Sequence, residues 1–155
     1  MRNISLPALI LAFLLPFGSA LAADSGPANL PPKDAALDRA RTAISAKDWA
    51  GAQSILRDAV ARDPRNADYH NLYAYSNRKS ANPDMSLVFK HYNEALRLDP
   101  KHRGAHEYLG EAYLMVGNLP KAKEQLAVLD RICLLSCKEY SELKKSIADY
   151  EAKRK

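Results

Sequence analysis

From about residue 34 onward, apolar residues recur at intervals of three and four with polar residues between them. This is the periodicity of amphipathic helices. Two of the patterns end at Asp63-Pro64 and Asp99-Pro100, 36 residues apart. Each proline closes the same spaced set: Ala52, Leu56 and Ala59 before Pro64, then Val88, Tyr92 and Ala95 before Pro100. A third copy follows 34 residues on with Ala122, Leu126 and Leu129, where Leu134 replaces the proline. A further helical pattern precedes each set, most clearly His106-x-x-Leu109-Gly110-x-x-Tyr113. The chain therefore reads as a repeat of helix pairs.

Local signals delimit these helices. Pro64 and Pro100 push Asp63 and Asp99 out of helical dihedrals and so end their helices. Asn82-Pro83 reads as an N-cap followed by proline at the first helical position. Asp48 and Asn118 are expected to cap the second helices of the first and third pairs. Ala40, Ala52, Ala59, Ala95, Gly110 and Ala122 supply small residues where helices cross closely. Leu56, Leu72, Tyr92, Leu96, Leu109, Tyr113 and Leu126 would fill the space between. Trp49 is expected to pack across its helix pair. After the third copy, Tyr140, Leu143, Ile147 and Tyr150 mark one more helix within 136–153. Ser136-Cys-Lys-Glu139 fits the S-x-x-E capping box that would start it.

The ends of the chain differ from this pattern. Residues 1–22 carry Arg2, a short apolar run and Ala20-x-Ala22, which reads as a signal peptide for export. The apolar run is about ten residues, well short of a membrane span; an uncleaved anchor is the rival reading. Residues 23–33 read as a flexible, proline-containing leader. Without the signal, one domain of about 133 residues remains, enough for a modest core. The charge balance falls from +5 to 22 − 18 = +4, spread along the chain. With no basic stripe or groove-reading motif, nothing points to nucleic acid. The composition also excludes a disordered chain, a membrane bundle and a disulfide-rich miniprotein.

The third copy, in Leu109, Gly110, Tyr113 and Ala122, resembles the tetratricopeptide repeat, with His106 in the tryptophan place and Leu126 in the phenylalanine place. The second copy offers Tyr69, Leu72 and Ser76, with Tyr73 where a glycine is usual. A longer turn over Lys79–Asn82 absorbs its extra residues. The first is weakest in its leading helix, at Ala36, Arg39, Ala40 and Ala43. The resemblance implies an all-α, right-handed solenoid of about three helix-turn-helix repeats, 34–65, 66–101 and 102–134, closed by a capping helix. The chain is also similar, more loosely, to small exported bacterial proteins of this family that end in Cys-x₃-Cys and a short helix.

The resemblance further implies a protein–protein interaction module whose first helices line a concave groove. The groove expected here holds Leu37, Arg41 and Ile44 from the first repeat. His70, Ala74, Asn77 and Arg78 come from the second, and Glu107, Glu111 and Leu114 from the third. Asn77 and Arg78 would bind an extended peptide's backbone or a carboxylate. The competing reading pairs Arg78 with Glu107 or Glu111 across helices. The partner is a protein or peptide, and self-association through uncovered repeat faces is the further possibility.

No nucleophile motif or phosphate loop points to catalysis, and no cofactor is implied. His102 and His106 are four apart, a metal spacing in principle, but two histidines are an incomplete ligand set. His106 is expected in helix packing instead. Cys133 and Cys137, in an exported chain, are expected to form a disulfide that pins the capping helix. The alternative function is a thiol-redox or copper-handling protein that uses this pair.

Overall fold

The structure, a computed structural model, describes residues 34–154, and the expected signal peptide and leader lie outside them. The described residues form three helix pairs and a last helix, with no strand. The pairs are α1 (Ala35–Ser45) with α2 (Trp49–Arg62), α3 (Ala67–Arg78) with α4 (Met85–Leu98), and α5 (Arg103–Met115) with α6 (Leu119–Ile132). The last is α7 (Lys138–Ala152). Each first helix touches the next one along: α1 meets α3, α3 meets α5 and α5 meets α7. Among the described residues, no helix is long and apolar enough to cross a membrane.

The second helices repeat closely. All three run for 14 residues, and Ala52, Val88 and Ala122 occupy the same place in them, fully buried. Asp63, Asp99 and Cys133 follow at their C-caps in non-helical dihedrals. Proline after the first two enforces this geometry. At Cys133 the helix ends in the same way without one.

The turns inside the first and third pairs are also alike. Asp48 N–H donates to Ala43 O and Lys47 N–H to Ile44 O, each at 2.9 Å. Asn118 N–H donates to Tyr113 O at 2.8 Å and Gly117 N–H to Leu114 O at 3.1 Å. Both turns are Schellman motifs, which need a left-handed residue just past the helix. Gly117 adopts it at φ 78°, and Lys47 adopts it at φ 58° despite its Cβ. Asp48 and Asn118 then cap α2 and α6 through Gly51 N–H and Lys121 N–H.

Two expected caps are replaced. α4 starts at Met85, and Asp84 rather than Asn82 accepts from Ser86 and Leu87 N–H. Asn77 Oδ1 accepts from Asp84 N–H at 2.9 Å, which sets the entry two residues later than the Asn-Pro signal. At α7 the capping box does not form. Cys137 is the N-cap with no side-chain bond, and Ser136 Oγ lies 3.2 Å from Ser141 Oγ.

The core is three successive clusters rather than one centre. Ala36, Leu37, Ala40, Ala52, Leu56 and Ala59 of the first pair are closed by Tyr69 of α3. Ala74, Val88 and Tyr92 of the second are closed by Leu109 and Ala112 of α5. Leu114, Ala122 and Leu129 of the third are closed by Leu143 and Ile147 of α7. Each pair thus buries its open face under the next first helix, and α7 does this for the last. Leu143 fits against Gly110, where an added Cβ would meet its Cδ2 at 2.5 Å. Burial of Leu143 and Ile147 contributes about 1.5–3 kcal/mol each.

Candidate functional site: the face of the first helices

Register decides what the first helices present. His70 Nε2 lies 3.0 Å from Pro64 O, and His106 Nε2 lies 3.0 Å from Pro100 O. His70 Nδ1 meets His91 across the pair, and His106 Nδ1 meets Gln125, both at 2.8 Å. His91 and Gln125 are the seventh residues of α4 and α6. So His70, not Tyr69, corresponds to His106, and Tyr73 and Ala74 correspond to Leu109 and Gly110. The expected alignment of the second repeat was one residue out, a rotation of about 100° on a helix. The 36-residue spacing of the two Asp-Pro pairs carried the right register, because it also separates the caps Asn66 and His102. The extra residues belong wholly to the turn after α3.

This rotation sorts the expected groove residues. Ala74 is fully buried in the second cluster, where α5 crosses α3. His70 is buried in a stack on His91, with ring centroids 5.0 Å apart. Leu37 and Leu114 are buried in the first and third clusters, and Ile44 packs half-buried against the first. These five are packing residues. Asn77 faces the α3–α4 turn through its bond to Asp84. Arg41 is exposed; the hydrogen bond from Tyr69 lowers the pKa of Asp34 and that with His102 lowers the pKa of Asp68, and the charge of Arg41 adds a smaller effect to each.

Arg78 and Glu111 do meet on the groove face, with Glu107 one turn before Glu111 on α5. Arg78 Nη2 donates to Glu111 Oε2 at 2.6 Å, so the ion pair across the helices forms. Arg78 Nε also donates to Tyr92 Oη at 3.3 Å, and Ser146 Oγ of α7 donates to Glu111 Oε1 at 3.1 Å. One chain of polar contacts therefore ties α3, α4, α5 and α7. The Arg78 guanidinium lies 5.5 Å above the Tyr75 ring and 5.7 Å above the Tyr108 ring, in cation–π range. The two rings are 4.6 Å apart, and Trp49 reaches Tyr75 edge-on at 6.2 Å, so it packs onto the next pair.

The groove face is Asn71, Tyr75 and Arg78 on α3 beside Gly104, Tyr108, Glu111 and Met115 on α5; of these, Arg78 and Glu111 are among the expected residues, whereas Asn71, Tyr75, Gly104 and Tyr108 are not. Each set follows helical spacing of four and three. An open pocket of about 420 Å³ lies at one end, lined by Asn66, Asp68, His102, Gly104 and Glu139 among others. Another of about 350 Å³ lies at the other, lined by Leu114, Met115, Ser146, Asp149, Tyr150 and Lys153. Glu107 is raised to about 7, first by burial and then by Glu111, Glu139 and Glu142, while Lys138 opposes this. Burial also raises Tyr108 to about 12.

The remaining candidate groups have structural partners. His102 caps α5, with Nδ1 accepting from Ala105 N–H and Nε2 3.2 Å from Asp68 Oδ1. It and His106 therefore point at different groups. Asp34 caps α1 and accepts from Tyr69 Oη at 2.7 Å, which joins α1 to α3. Cys133 and Cys137 lie at disulfide distance, with Cα atoms 5.7 Å apart, between α6 and α7. Leu134 and Leu135 between them are exposed.

Comparison with known proteins agrees with this geometry. A family model described as Tetratricopeptide repeat matches residues 37–83 and 90–132, more than half of the chain. No curated protein matches the chain. Among solved structures, the TPR2B domain of yeast Sti1, in a complex with pHsp70, is similar with TM-score 0.68 at 17% identity. That match covers 77% of this chain and 95% of the other. The Sgt2 TPR domain of Aspergillus fumigatus has TM-score 0.67 at 19% identity, covering 81% and 80%. The Yersinia enterocolitica type III secretion chaperone SycD, in complex with a peptide of the translocator YopD, has TM-score 0.64 at 13% identity, covering 77% and 92%. With its helix pairs, their shared register and the matched residues, this chain belongs to the tetratricopeptide repeat family.

Proposed function

We propose that this protein is a non-catalytic adaptor of the cell envelope that binds an extended segment of a partner protein along the face of α3, α5 and α7. The observation that supports this best is the continuous stripe from Gly104 through Tyr108 to Met115, with half-exposed tyrosines between two open pockets. Similar structures that hold a peptide or a partner support the same use of the fold. The apolar, alanine-bounded run before residue 23 supports export. In an oxidising compartment the Cys133–Cys137 approach would close as a disulfide and hold α7 on the last pair.

Site-specific photocrosslinking tests the groove. A benzoylphenylalanine at Tyr75 or Met115 should capture one partner, and the same group at Arg57 on α2 should not. Capture from Arg57 alone would overturn the reading. Export is checked by the N-terminal sequence of the protein from the envelope fraction. Thiol trapping before and after reduction decides the state of the cysteine pair.

A further inference from the structure

Asn71 and Glu107 hold matching positions on neighbouring helices, each five residues past its N-cap, Asn66 or His102. Both are hydrogen-bond acceptors without a donor. Asn71 Oδ1 is buried with no partner, and the whole residue is 4% exposed. Glu107 is 9% exposed and makes no hydrogen bond or ion pair among the described residues. Asn71 lies against α5 beside Gly104, its Nδ2 3.5 Å from where a Cβ there would stand. Gly104 is one turn before Glu107 and Tyr108 and lines the 420 Å³ pocket, whose wall Asn71 and Glu107 do not themselves form. A buried acceptor that stays unmatched loses the hydrogen bonds it had in water.

The charges that act on Glu107 are mainly acidic, although Lys101 and Arg103 also line the pocket over Gly104. Glu111 on α5 and Glu139 and Glu142 on α7 all repel a charge on Glu107, with Lys138 opposing. On α3, Arg78 is spent on Glu111 and on the two tyrosine rings. The remaining need is for a cation that brings N–H donors. We propose that Glu107 and Asn71 receive a lysine or arginine side chain of the extended segment that lies in the groove. This rests on the groove-binding reading above and adds the chemistry of what is bound there. An ammonium has three donors and a guanidinium five, and neither has an acceptor, so both complement a site built of acceptors. Burial first, and then the neighbouring carboxylates, raise the titration of Glu107, and an incoming cation relieves the second of these.

The test uses the full chain and end-blocked, fluorescein-labelled nonapeptides of Ala, Ser and Leu that differ only at the centre, as Lys, Arg, Gln or Glu. Affinity is read by fluorescence anisotropy and location by amide shifts at Asn71, Glu107 and Tyr108. The Lys and Arg peptides should bind roughly tenfold or more tightly than the Gln peptide. That preference should disappear in Glu107→Gln and grow from pH 5.5 to pH 8 in the wild type. Equal binding of Lys and Gln peptides at the groove overturns the cation site and leaves the groove reading standing. Absence of groove shifts with every peptide overturns both. Spermidine serves as a free polyamine; Glu107-dependent binding of spermidine without any peptide preference overturns a side chain as the occupant.

Discussion

The Nδ1 atoms of His70 and His91 stand 2.8 Å apart at the buried junction of α3 and α4, and share one proton. Pro64 O can only accept, so His70 Nε2 carries a hydrogen and His70 Nδ1 is the acceptor. His91 Nδ1–H is then the donor. A second proton on this pair is opposed by burial, by His70 and by Lys90, which push His91 down to about 4, with Glu94 opposing. Unfolded, His91 titrates near 6.5. The unfolded state therefore takes up a proton first as pH falls, and stability drops between about 6.5 and about 4.

The third repeat shows how to remove this sensitivity, because Gln125 stands where His91 does. His91→Gln keeps a side chain able to pair with His70, and a glutamine amide has no proton equilibrium in this range. The melting temperature of the variant should fall less than that of the wild type from pH 7 to pH 4.5. Parallel curves for the two proteins would show that the pair is not the acid-sensitive element.

Arg78 is almost wholly buried, and its partner Glu111 is held by a third group, Ser146. Truncation of one member leaves the other charge without compensation, which costs about 3–5 kcal/mol in buried pairs. Arg78→Met should lower the unfolding free energy measured by urea titration by this order. Combining it with Glu111→Gln should restore part of the loss. Additive losses would mean that the pair carries no coupling.

Glu107 has the opposite pH behaviour to His91. Its folded pKa, about 7, lies above the ordinary 4.5, so the folded state keeps its proton longer than the unfolded state. Stability from this group is complete below about 4.5 and is lost as pH rises to about 7. Glu107→Gln removes the charge at nearly constant shape. The variant should match the wild type at pH 4, gain stability progressively up to pH 7 and keep that gain at pH 8, by thermal melting. A gain of equal size at pH 4 and pH 8 would place its cause outside the ionisation.

Lys47 and Gly117 occupy the same left-handed position in two copies of one turn. A lysine there pays the Cβ–carbonyl contact that glycine avoids. Lys47→Gly should stabilise by about 0.5–1 kcal/mol, after the greater freedom of glycine in the unfolded chain is subtracted. Gly117→Ala should destabilise by a similar amount. Chemical denaturation of both variants checks the pair.

The helix pairs, their small crossing residues and the caps Asp48 and Asn118 were legible because each rests on neighbours within a few positions. The Asn82 cap and the Ser136 box failed where a distant or competing group intervened, Asn77 at Asp84 in the first case. The groove was only partly legible. Arg41, Glu107 and Glu111 were read as surface of the first helices, whereas Asn71, Tyr75 and Tyr108 were missed. A one-residue slip in the second repeat turned α3 by about 100° and exchanged Ala74 for Tyr75.

By itself the sequence determined the repeat: its period, its helix ends and the small residues that permit close crossing are local chemistry written along the chain. Only the tertiary structure decided which side of each first helix faces outward, because that depends on where the following helix packs. It also decided that Arg78 is committed to Glu111 while Asn71 and Glu107 remain without donors. Pairing of buried charges is set by distances between helices, and no spacing along one helix contains those distances.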